Sequence, residues 1–394
     1  MDNGLPLGFR LSVAEAAFKK PGRNDLALLL SDRPAAAAGL FTTNKFQAAP
    51  VLTGRERLRL SPTARAVLVN AGQANACTGE EGMLRCRQSL EMTASLLDIN
   101  PDDILPASTG VIGAQMDMQA WERALPALAG NLGRAALEDF ASAIMTTDAF
   151  PKYARRTLRI GNEQPVGIAG VAKGAGMICP NMATMLSVVF CDAVIDPGAW
   201  RALLAKAVDA SFNRVSVDGD TSTNDTLYGL ANGASGVSIA GTREAALEKI
   251  LTEVLEELAY MLVKDGEGAT KVMHIDIVGA VNDADAERAA RAVGGSQLVK
   301  TAMFGKDANW GRVICALGRS GAVFNPDDVV FELCGVVMFS DGKPSPHNEE
   351  LPASALEQRD IRMELRLGRG PGKYRLLASD LTHDYVSINS DYRS

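Results

Sequence analysis

The sequence has little of what several classes of protein require. Its three histidines, His274, His347 and His383, are far apart, and its six cysteines include no CxxC pair. This composition argues against a structural zinc site and against a histidine relay of the Ser-His-Asp kind. No apolar run reaches 18 residues, so a membrane-spanning helix is not expected. No phosphate loop of the GxxxxGK[ST] type is present, and no GxGxxG motif follows a predicted strand, which argues against a nucleotide-binding fold.

The charge and the N-terminus narrow the class of protein further. The 394-residue chain carries a formal net charge of −7 at pH 7, and its lysines and arginines form no basic stripe, which argues against nucleic acid as a partner. The first ten residues, MDNGLPLGFR, lack the charged and apolar regions of a signal peptide. We therefore expect a cytoplasmic protein whose cysteines are reduced. An apolar content of 47% over this length predicts a folded protein of one or two domains.

The stretch KGAGMICPNMATML, residues 173–186, is the most informative part of the sequence. Glycines and a proline interrupt its first half, and the apolar residues after Thr184 predict a buried strand. A threonine at this junction can attack the carbonyl carbon of the preceding residue, here Ala183, and water then cleaves the ester. The new N-terminal threonine carries a nucleophile and a base together, because its α-amine can accept the Oγ proton. Most threonines at the start of a strand are there only because threonine favours β structure. Thr184 by itself is therefore compatible with a structural role and with self-cleavage.

Further motifs occur in the same order as in one known family. They are VNAGQANACTG at 69–79, ASTGVIG at 107–113, MTTDAFPK at 145–152, DGDTSTNDT at 218–226, KDGEGATK at 264–271, GKDANWGR at 305–312 and YVSINSDYRS at 385–394. Together with the M-A-T-M-L run they resemble the ornithine acetyltransferase (glutamate N-acetyltransferase) family over essentially the whole chain. In that family the threonine of this run is the nucleophile, which implies the same role for Thr184.

The resemblance implies a reaction and an assembly. The expected reaction moves an acetyl group from N2-acetyl-L-ornithine to L-glutamate through an acetyl-threonine intermediate in arginine biosynthesis, with no metal and no organic cofactor. Some members of the family also use acetyl-CoA as a co-substrate, and these residues do not decide that use. The chain is expected to cleave itself between Ala183 and Thr184 into an α chain, 1–183, and a β chain, 184–394. Two α and two β chains would form a heterotetramer.

The fold expectation has two sources. The mixture of strand and helix patterns predicts an α/β protein whose sheets are covered by helices. The resemblance implies an αββα sandwich with N-terminal-nucleophile-like catalysis over residues 1–280 and a smaller C-terminal α/β domain over residues 281–394. Helical periodicity is clearest over residues 245–263. Short apolar runs predict, among others, strands at residues 26–31, 37–44, 313–315 and 385–388.

The oxyanion of the tetrahedral intermediate needs hydrogen-bond donors, and Ser108-Thr109-Gly110 offers a hydroxyl beside flexible backbone N–H groups. Such turns are common, so the motif alone is more typical of an ordinary turn. The resemblance assigns the oxyanion hole to Thr109 and Gly110. Lys173 alone is typical of a surface lysine. By resemblance it contacts substrate, where it would attract a carboxylate or stabilise the acyl intermediate.

The remaining substrate contacts also rest on the resemblance. Glu267 lies between two glycines, which lets its carboxylate approach a cation such as the ammonium of ornithine. The alternative is a solvated glutamate in a turn. In the MTTD run the family uses one threonine for substrate, and we choose Thr147 over Thr146. Asn389 and Ser394 match substrate-binding positions at the C-terminus, where Ser394 replaces the family's usual threonine but keeps a hydroxyl.

Two other functions remain open. An aminopeptidase or amidase of the same fold would use the same nucleophile with water as the acceptor, and the arrival of acetyl on glutamate would exclude it. A binding protein without catalysis is a different class, against which the presence of Thr109, Gly110, Lys173 and Thr184 argues. The polar run DGDTSTNDT is interpreted as a hydrogen-bonded turn near the site, with no catalytic role.

Overall fold

The structure is a computed structural model that describes residues 4–179 and 185–391, so Ala183, Thr184 and Ser394 lie outside the described residues. Its helices and strands, in chain order, are β1 (Phe9–Ala14), β2 (Leu26–Phe41), α1 (Ala49–Leu60), β3 (Thr63–Gln73), α2 (Gly79–Leu97), β4 (Ile104–Val111), α3 (Met118–Gly130), α4 (Leu137–Ala143), β5 (Lys152–Leu158), β6 (Val166–Lys173), β7 (Leu186–Cys191), α5 (Pro197–Ala210), β8 (Val215–Ser216), β9 (Thr226–Ala231), α6 (Thr242–Lys264), β10 (Val272–Ala280), α7 (Asp283–Gly294), α8 (Gln297–Phe304), α9 (Trp310–Gly318), β11 (Val330–Leu333), β12 (Val336–Ser340), β13 (Lys343–Pro344), β14 (Asp360–Arg366), β15 (Gly372–Ser379) and α10 (His383–Asp391).

The chain forms two compact units. Among the described residues, the first consists of residues 4–179 and 185–213 together with Asp220–Leu262, and the second of Arg214–Gly219 together with residues 263–391. The boundary expected near residue 280 lies later than this division. The reason is strand β10, which pairs with β14 and β15 and therefore belongs to the sheet of the second unit.

The first unit is built on one mixed sheet in the order β4-β3-β2-β9-β7-β6-β5, with β1 paired to β2. Strand β2 is 16 residues long. Its first half pairs with β1 and β3, and its second half pairs with β9. A register irregularity between Leu30 and Ala35 lies where the partners change. The sheet therefore consists of two halves joined through β2.

The two halves of this sheet share one core. Phe9 of β1 and Phe190 of β7 have ring centroids 5.0 Å apart, and the same core includes side chains of β3, β4, β6, β9 and α4. Helices α2 and α3 cover the other face of the first half. Helices α5 and α6 lie against the second half, where Gly229 and Gly170 give them room. This arrangement has four layers, α-β-β-α, as the resemblance implied.

Helix α6 shows how the sequence pattern produces this layering. Its apolar residues recur at helical spacing and are at most 1% exposed: Leu247, Leu251, Val254, Leu255, Leu258 and Leu262. Each such side chain contributes roughly 1.5–3 kcal/mol when it is fully buried. The predicted helix over residues 245–263 is therefore confirmed, with a start three residues earlier at Thr242.

The second unit contains a sheet in the order β13-β12-β11-β14-β10-β15-β8. Helices α7, α8 and α9 pack with its central strands in one apolar core. Strand β8 comes from the middle of the chain and pairs in parallel with β15. Within the residues that the structure describes, no helix is long and apolar enough to span a membrane.

Two predicted strands are wrong. Residues 313–315 lie inside α9, where the Asn309 side chain caps the helix by accepting from the Arg312 backbone N–H at 3.2 Å. Residues 385–388 lie inside α10. In both cases a few β-branched residues suggested a strand, but the caps and the four-residue hydrogen-bond spacing of a helix decided the conformation.

Candidate active site

The end of strand β4 holds Thr109 and Gly110 beside the end of β3. The strands run in parallel, with Gly110 opposite Gly72. Gly110 has φ +130°, and a Cβ atom at this position would lie 2.2 Å from the carbonyl carbon of Gly72. Only glycine fits that approach. Thr109 and Gly110, to which the resemblance assigns the oxyanion hole, therefore lie at the end of a strand whose position depends on the facing pair Gly72 and Gly110.

Lys173 ends strand β6, and its side chain is only 8% exposed. Its Nζ donates to Thr146 Oγ1 at 2.6 Å and to Thr109 Oγ1 at 3.3 Å. The sequence alone favoured a surface position for Lys173, but its side chain is buried. Because an ammonium can only donate, both hydroxyl groups act as acceptors here. Each hydroxyl group can still donate its own hydrogen to another group.

A buried acidic residue, Asp148, lies close to Lys173. Asp148 and Lys152 have fully buried side chains and form an ion pair with 2.7 Å between Oδ1 and Nζ. Asp148 Oδ2 lies 3.8 Å from Lys173 Nζ. Burial raises the pKa of Asp148, but the ammonium groups of Lys173 and Lys152 outweigh burial, and the pKa lies well below its usual range. Asp148 is therefore ionised near neutral pH.

Backbone groups fix the Asp148 carboxylate as well. Oδ1 accepts from the Gly174 N–H at 2.6 Å, and Oδ2 accepts from the Thr146 N–H at 3.0 Å. The carboxylate thus connects the loop after α4 to the end of β6. Sequence reasoning did not single out Asp148 or Lys152, although both lie in the quoted run MTTDAFPK. Their spacing of four residues is also typical of exposed ion pairs, so burial is the signal that the sequence could not give.

A second buried acid, Asp225, precedes strand β9. Burial raises its pKa well above the usual range, against the opposing effects of the Met185 backbone, the Thr42 hydroxyl and the charge of Lys173. Among the described residues its Oδ2 atom has no hydrogen-bond partner. A buried carboxyl without full hydrogen bonding favours its protonated form. Asp225 belongs to the run DGDTSTNDT, to which the sequence analysis assigned no catalytic role.

The same run supports the end of β4. Asn224 Nδ2 donates to the carbonyl groups of Ala74 and Ser108 at 2.6 and 2.8 Å. Ser108 Oγ in turn donates to Asn70 Oδ1 at 2.6 Å. These buried bonds hold the backbone that carries Thr109, which agrees with the interpretation of the run as a hydrogen-bonded turn.

In the second unit, Glu267 and Asn389 come together. Asn389 Nδ2 donates to Glu267 Oε2 at 2.8 Å and also to the Tyr385 carbonyl at 3.0 Å. Gly268 has φ +69°, and its carbonyl accepts from Thr382 Oγ1 at 2.8 Å. The loop after α6 and the helix α10 therefore fix one another, and they hold two of the predicted substrate residues in contact.

The predicted site residues are thus grouped within each unit. Thr109 and Lys173 lie in contact in the first unit, with Thr146 as the threonine that bonds Lys173. Thr147, which the sequence analysis preferred, is half-buried beside it. Among residues 4–179 and 185–391, no group of three or more His, Cys, Asp or Glu side chains could hold a metal ion.

Known proteins are similar to this chain over almost its whole length. The ArgJ family model matches residues 10–394. Arginine biosynthesis bifunctional protein ArgJ of Nitratidesulfovibrio vulgaris is 60% identical and covers 99% of this chain and 99% of its own length. The protein of that name from Geobacter sulfurreducens is 49% identical and covers 98% of this chain and 99% of its own length.

A solved structure agrees with this assignment. The crystal structure of Arginine biosynthesis bifunctional protein argJ from Bacillus halodurans is 39% identical, with a TM-score of 0.51. The match covers 53% of this chain and 100% of the Bacillus chain. Sequence identity, length and fold therefore agree, and the chain belongs to the ArgJ family.

Proposed function

We propose that this chain is an acyltransferase of arginine biosynthesis that moves an acetyl group from N2-acetyl-L-ornithine to L-glutamate. The observation that carries the proposal is the convergence of the Lys173 ammonium with the Thr109 and Thr146 hydroxyls. In the β6–β7 pair Lys173 is opposite Leu186, which follows Thr184 by two residues in the sequence. A cation and hydroxyl groups are suited to acyl transfer to and from amino acids when a threonine supplies the nucleophile.

The proposed cycle has two balanced half-reactions. In the first, Thr184 Oγ bonds to the acetyl carbon, the amide C–N bond breaks, and the threonine proton passes through the α-amine to the departing amine of ornithine. In the second, the amine of glutamate bonds to the acetyl carbon, the ester C–O bond breaks, and the proton returns to Thr184 Oγ. Donor and acceptor are both α-amino acids, so one site serves both steps.

The α-amine exists only after the chain is cut, so self-cleavage between Ala183 and Thr184 is part of the proposal. An α-amine has an unperturbed pKa of about 7.7–8.0 and is partly neutral near pH 7.

The remaining roles rest on the resemblance. Thr109 and Gly110 would donate to the oxyanion, and Lys173 and Thr147 would contact substrate. In the second unit Glu267, held by Asn389, would accept the cationic end of ornithine. Ser394 is proposed as a further substrate contact from the sequence alone.

We propose several further properties of the protein. The cycle needs no metal and no organic cofactor, because the threonine and its α-amine supply nucleophile and base. We also propose acetyl-CoA as a second acetyl donor, which would account for a second activity; the name of the relatives says only that they are bifunctional. We further propose a heterotetramer of two α and two β chains and a cytoplasmic location.

The test compares wild type with Thr184→Ala and Thr184→Ser. Intact mass and N-terminal sequencing should show two chains for wild type, with the second beginning at Thr184. Thr184→Ala should remain one chain and transfer no acetyl, whereas Thr184→Ser should still cleave because it keeps a hydroxyl. Transfer to glutamate is measured against release of free acetate. A single full-length chain with full activity would refute the mechanism, and acetate without acetylglutamate would favour a hydrolase.

A further inference from the structure

We propose that Lys300 is a positioning residue that holds the loop between α6 and β10, and that it thereby sets the preference of the enzyme for a substrate with a cationic side chain. This loop carries Glu267, the proposed receptor for the ammonium of ornithine, so the inference rests on the proposed function. Lys300 lies in α8, in the same unit as Glu267. It acts through the loop and need not touch the substrate.

The ammonium of Lys300 joins two segments at the end of a pair of strands. Strands β8 and β15 pair up to Ser216 and Ala378, and the next residues along them are Val217 and Ser379. Lys300 Nζ donates to the Val217 carbonyl at 2.7 Å, to the Ser379 carbonyl, and to Ser379 Oγ at 3.2 Å. An ammonium has three N–H donors, and here all three end on uncharged oxygens. Lys300 therefore extends the connection between the two strands by one residue.

The first of these segments packs against the loop directly. A Cβ atom on the buried Gly266 would lie 3.1 Å from Val217 Cγ1, so the Val217 side chain lies against the backbone of Gly266. Glu267 is the next residue. A shift of Val217 would therefore act on the chain immediately before the Glu267 carboxylate.

The second segment bonds to the other side of the loop. Asp380 follows Ser379 and is 4% exposed, and its Oδ1 atom accepts from the Thr270 N–H at 2.8 Å. Two residues later, Thr382 Oγ1 donates to the Gly268 carbonyl at 2.8 Å. The loop is thus held on both sides by segments that meet at the Lys300 ammonium.

A lysine has an energetic cost at this position. Lys300 is 5% exposed, and burial lowers its pKa from 10.5 to about 8, although the charges of Asp380 and Asp218 oppose the change. A methionine would fill a similar volume without taking a charge out of water. A residue that costs stability often serves function instead, and the contacts of Lys300 indicate that its function is to hold the loop.

The experiment compares N2-acetylornithine with N2-acetylnorvaline, which has the same carbon chain without the terminal ammonium. Wild type should prefer N2-acetylornithine, measured as the ratio of the two kcat/KM values. Lys300→Met should lower this ratio by about ten-fold, the usual effect of losing one hydrogen bond to a charged group. The kcat/KM for N2-acetylnorvaline should change little. An unchanged ratio would overturn the proposal.

A double variant shows whether Lys300 acts through Glu267. Glu267→Gln should also lower the ratio, and Lys300→Met/Glu267→Gln should lower it no further, because both substitutions remove the same interaction. Independent losses that multiply in the double variant would refute the proposal.

A matched control separates the ammonium from general stability. Val299→Ala is one residue earlier on α8, and Val299 is fully buried in the core of the same unit. The cavity that it leaves should lower stability and leave the ratio unchanged. An equal fall of the ratio in Val299→Ala would show that lost stability is the cause, and would contradict a role for the ammonium.

The pH dependence of wild type gives a test that needs no variant, so a failure of Lys300→Met to fold leaves the proposal testable. Between pH 7 and 9 Lys300 loses its proton, while a terminal ammonium with an ordinary pKa of about 10.4 stays mostly charged. The preference of wild type should therefore decline over this range, and that of Lys300→Met should stay flat. Titration of the Thr184 α-amine affects both substrates and cancels in the ratio. A flat profile for wild type would refute the proposal.

Failure of the proposed function would look different. Wild type would then bind N2-acetylornithine without transferring acetyl to glutamate. In that case the ratio of the two Kd values, measured by calorimetry, replaces the ratio of kcat/KM values. Its response to Lys300→Met and to pH then decides the role of Lys300.

Discussion

At the scale of single residues, the direction of each hydrogen bond decides what a side chain can offer a substrate. Thr109 Oγ1 accepts from the Lys173 ammonium, which has no acceptor of its own. The Thr109 hydroxyl must therefore point its hydrogen elsewhere. That orientation is the one that an oxyanion donor needs, so Lys173 would set the direction of the proposed oxyanion donor.

Thr109→Ala should therefore lower kcat by about 10²–10³, the usual cost of losing one oxyanion donor, with little change in KM. The interaction matters most in the transition state, so binding of substrate should be almost unaffected. Steady-state kinetics on fully cleaved protein give the measurement, and Thr109→Ser is the control that keeps a hydroxyl. A rise confined to KM would show that Thr109 is a ground-state contact.

Single residues also show where sequence reasoning reached its limit. Lys173 was found through its motif, but its burial and its two hydroxyl partners appear only in the structure. Asp148, Lys152 and Asp225 stood in quoted motifs and were passed over. Acids and lysines in polar runs usually lie at the surface, and only tertiary packing shows that these three are buried.

At the scale of elements, long periodic segments were predictable and short ones were not. Helix α6 has enough turns for its apolar spacing to be unambiguous, whereas α9 and α10 have nine residues each. In so short a segment a few Val or Ile residues favour strand and helix about equally. Strand β2 was expected as two strands at 26–31 and 37–44. It is one strand whose neighbours change along its length, which no local pattern shows.

The loop between α6 and β10 gives a prediction at this scale. A Cβ atom at Gly268 would lie 2.7 Å from the backbone nitrogen of Tyr385 and 2.8 Å from Asp384 Cβ. Gly268→Ala should therefore separate the loop from α10. Gly335→Ala is a matched control, because Gly335 also has positive φ, +85°, but has nothing within 4 Å of such a Cβ.

Hydrogen exchange measures the outcome. Amides of α10 should exchange faster in Gly268→Ala, and KM for N2-acetylornithine should rise because Glu267 loses its contact with Asn389. Gly335→Ala should show only the cost of positive φ for alanine, roughly 1 kcal/mol. Equal effects of the two substitutions would mean that the contact with α10 does not hold the loop.

At the scale of the whole molecule, the division of the chain depends on contacts between distant residues. The segment Arg214–Gly219 belongs to the second unit although the residues on both sides of it belong to the first. Its strand β8 adds to the edge of a sheet whose other strands follow residue 271. Composition and periodicity are local and place no domain boundary. The resemblance implies a boundary near residue 280, and neither source shows an excursion of six residues.

A buried lysine holds this segment in the second unit. Lys300 is 5% exposed, and its Nζ donates to the Val217 carbonyl at 2.7 Å and to Ser379 Oγ at 3.2 Å. Burial lowers the pKa of Lys300 from 10.5 to about 8, although the charges of Asp380 and Asp218 oppose the change. Keeping this ammonium charged therefore costs free energy in the folded state.

The pH dependence of stability follows from that lowered pKa. Between pH 8 and 10.5 the unfolded chain binds more protons at Lys300 than the folded one, so this residue makes stability rise with pH across that window. Relative to Lys300→Met, the free energy of unfolding of wild type should increase by about 2 kcal/mol between pH 7 and 9.5. Urea unfolding followed by Trp310 fluorescence, in a background with Trp121 and Trp200 replaced by phenylalanine, reports on the second unit. The exposed Lys206→Met should run parallel to wild type, and parallel curves for Lys300→Met as well would show that Lys300 keeps an ordinary pKa in the fold.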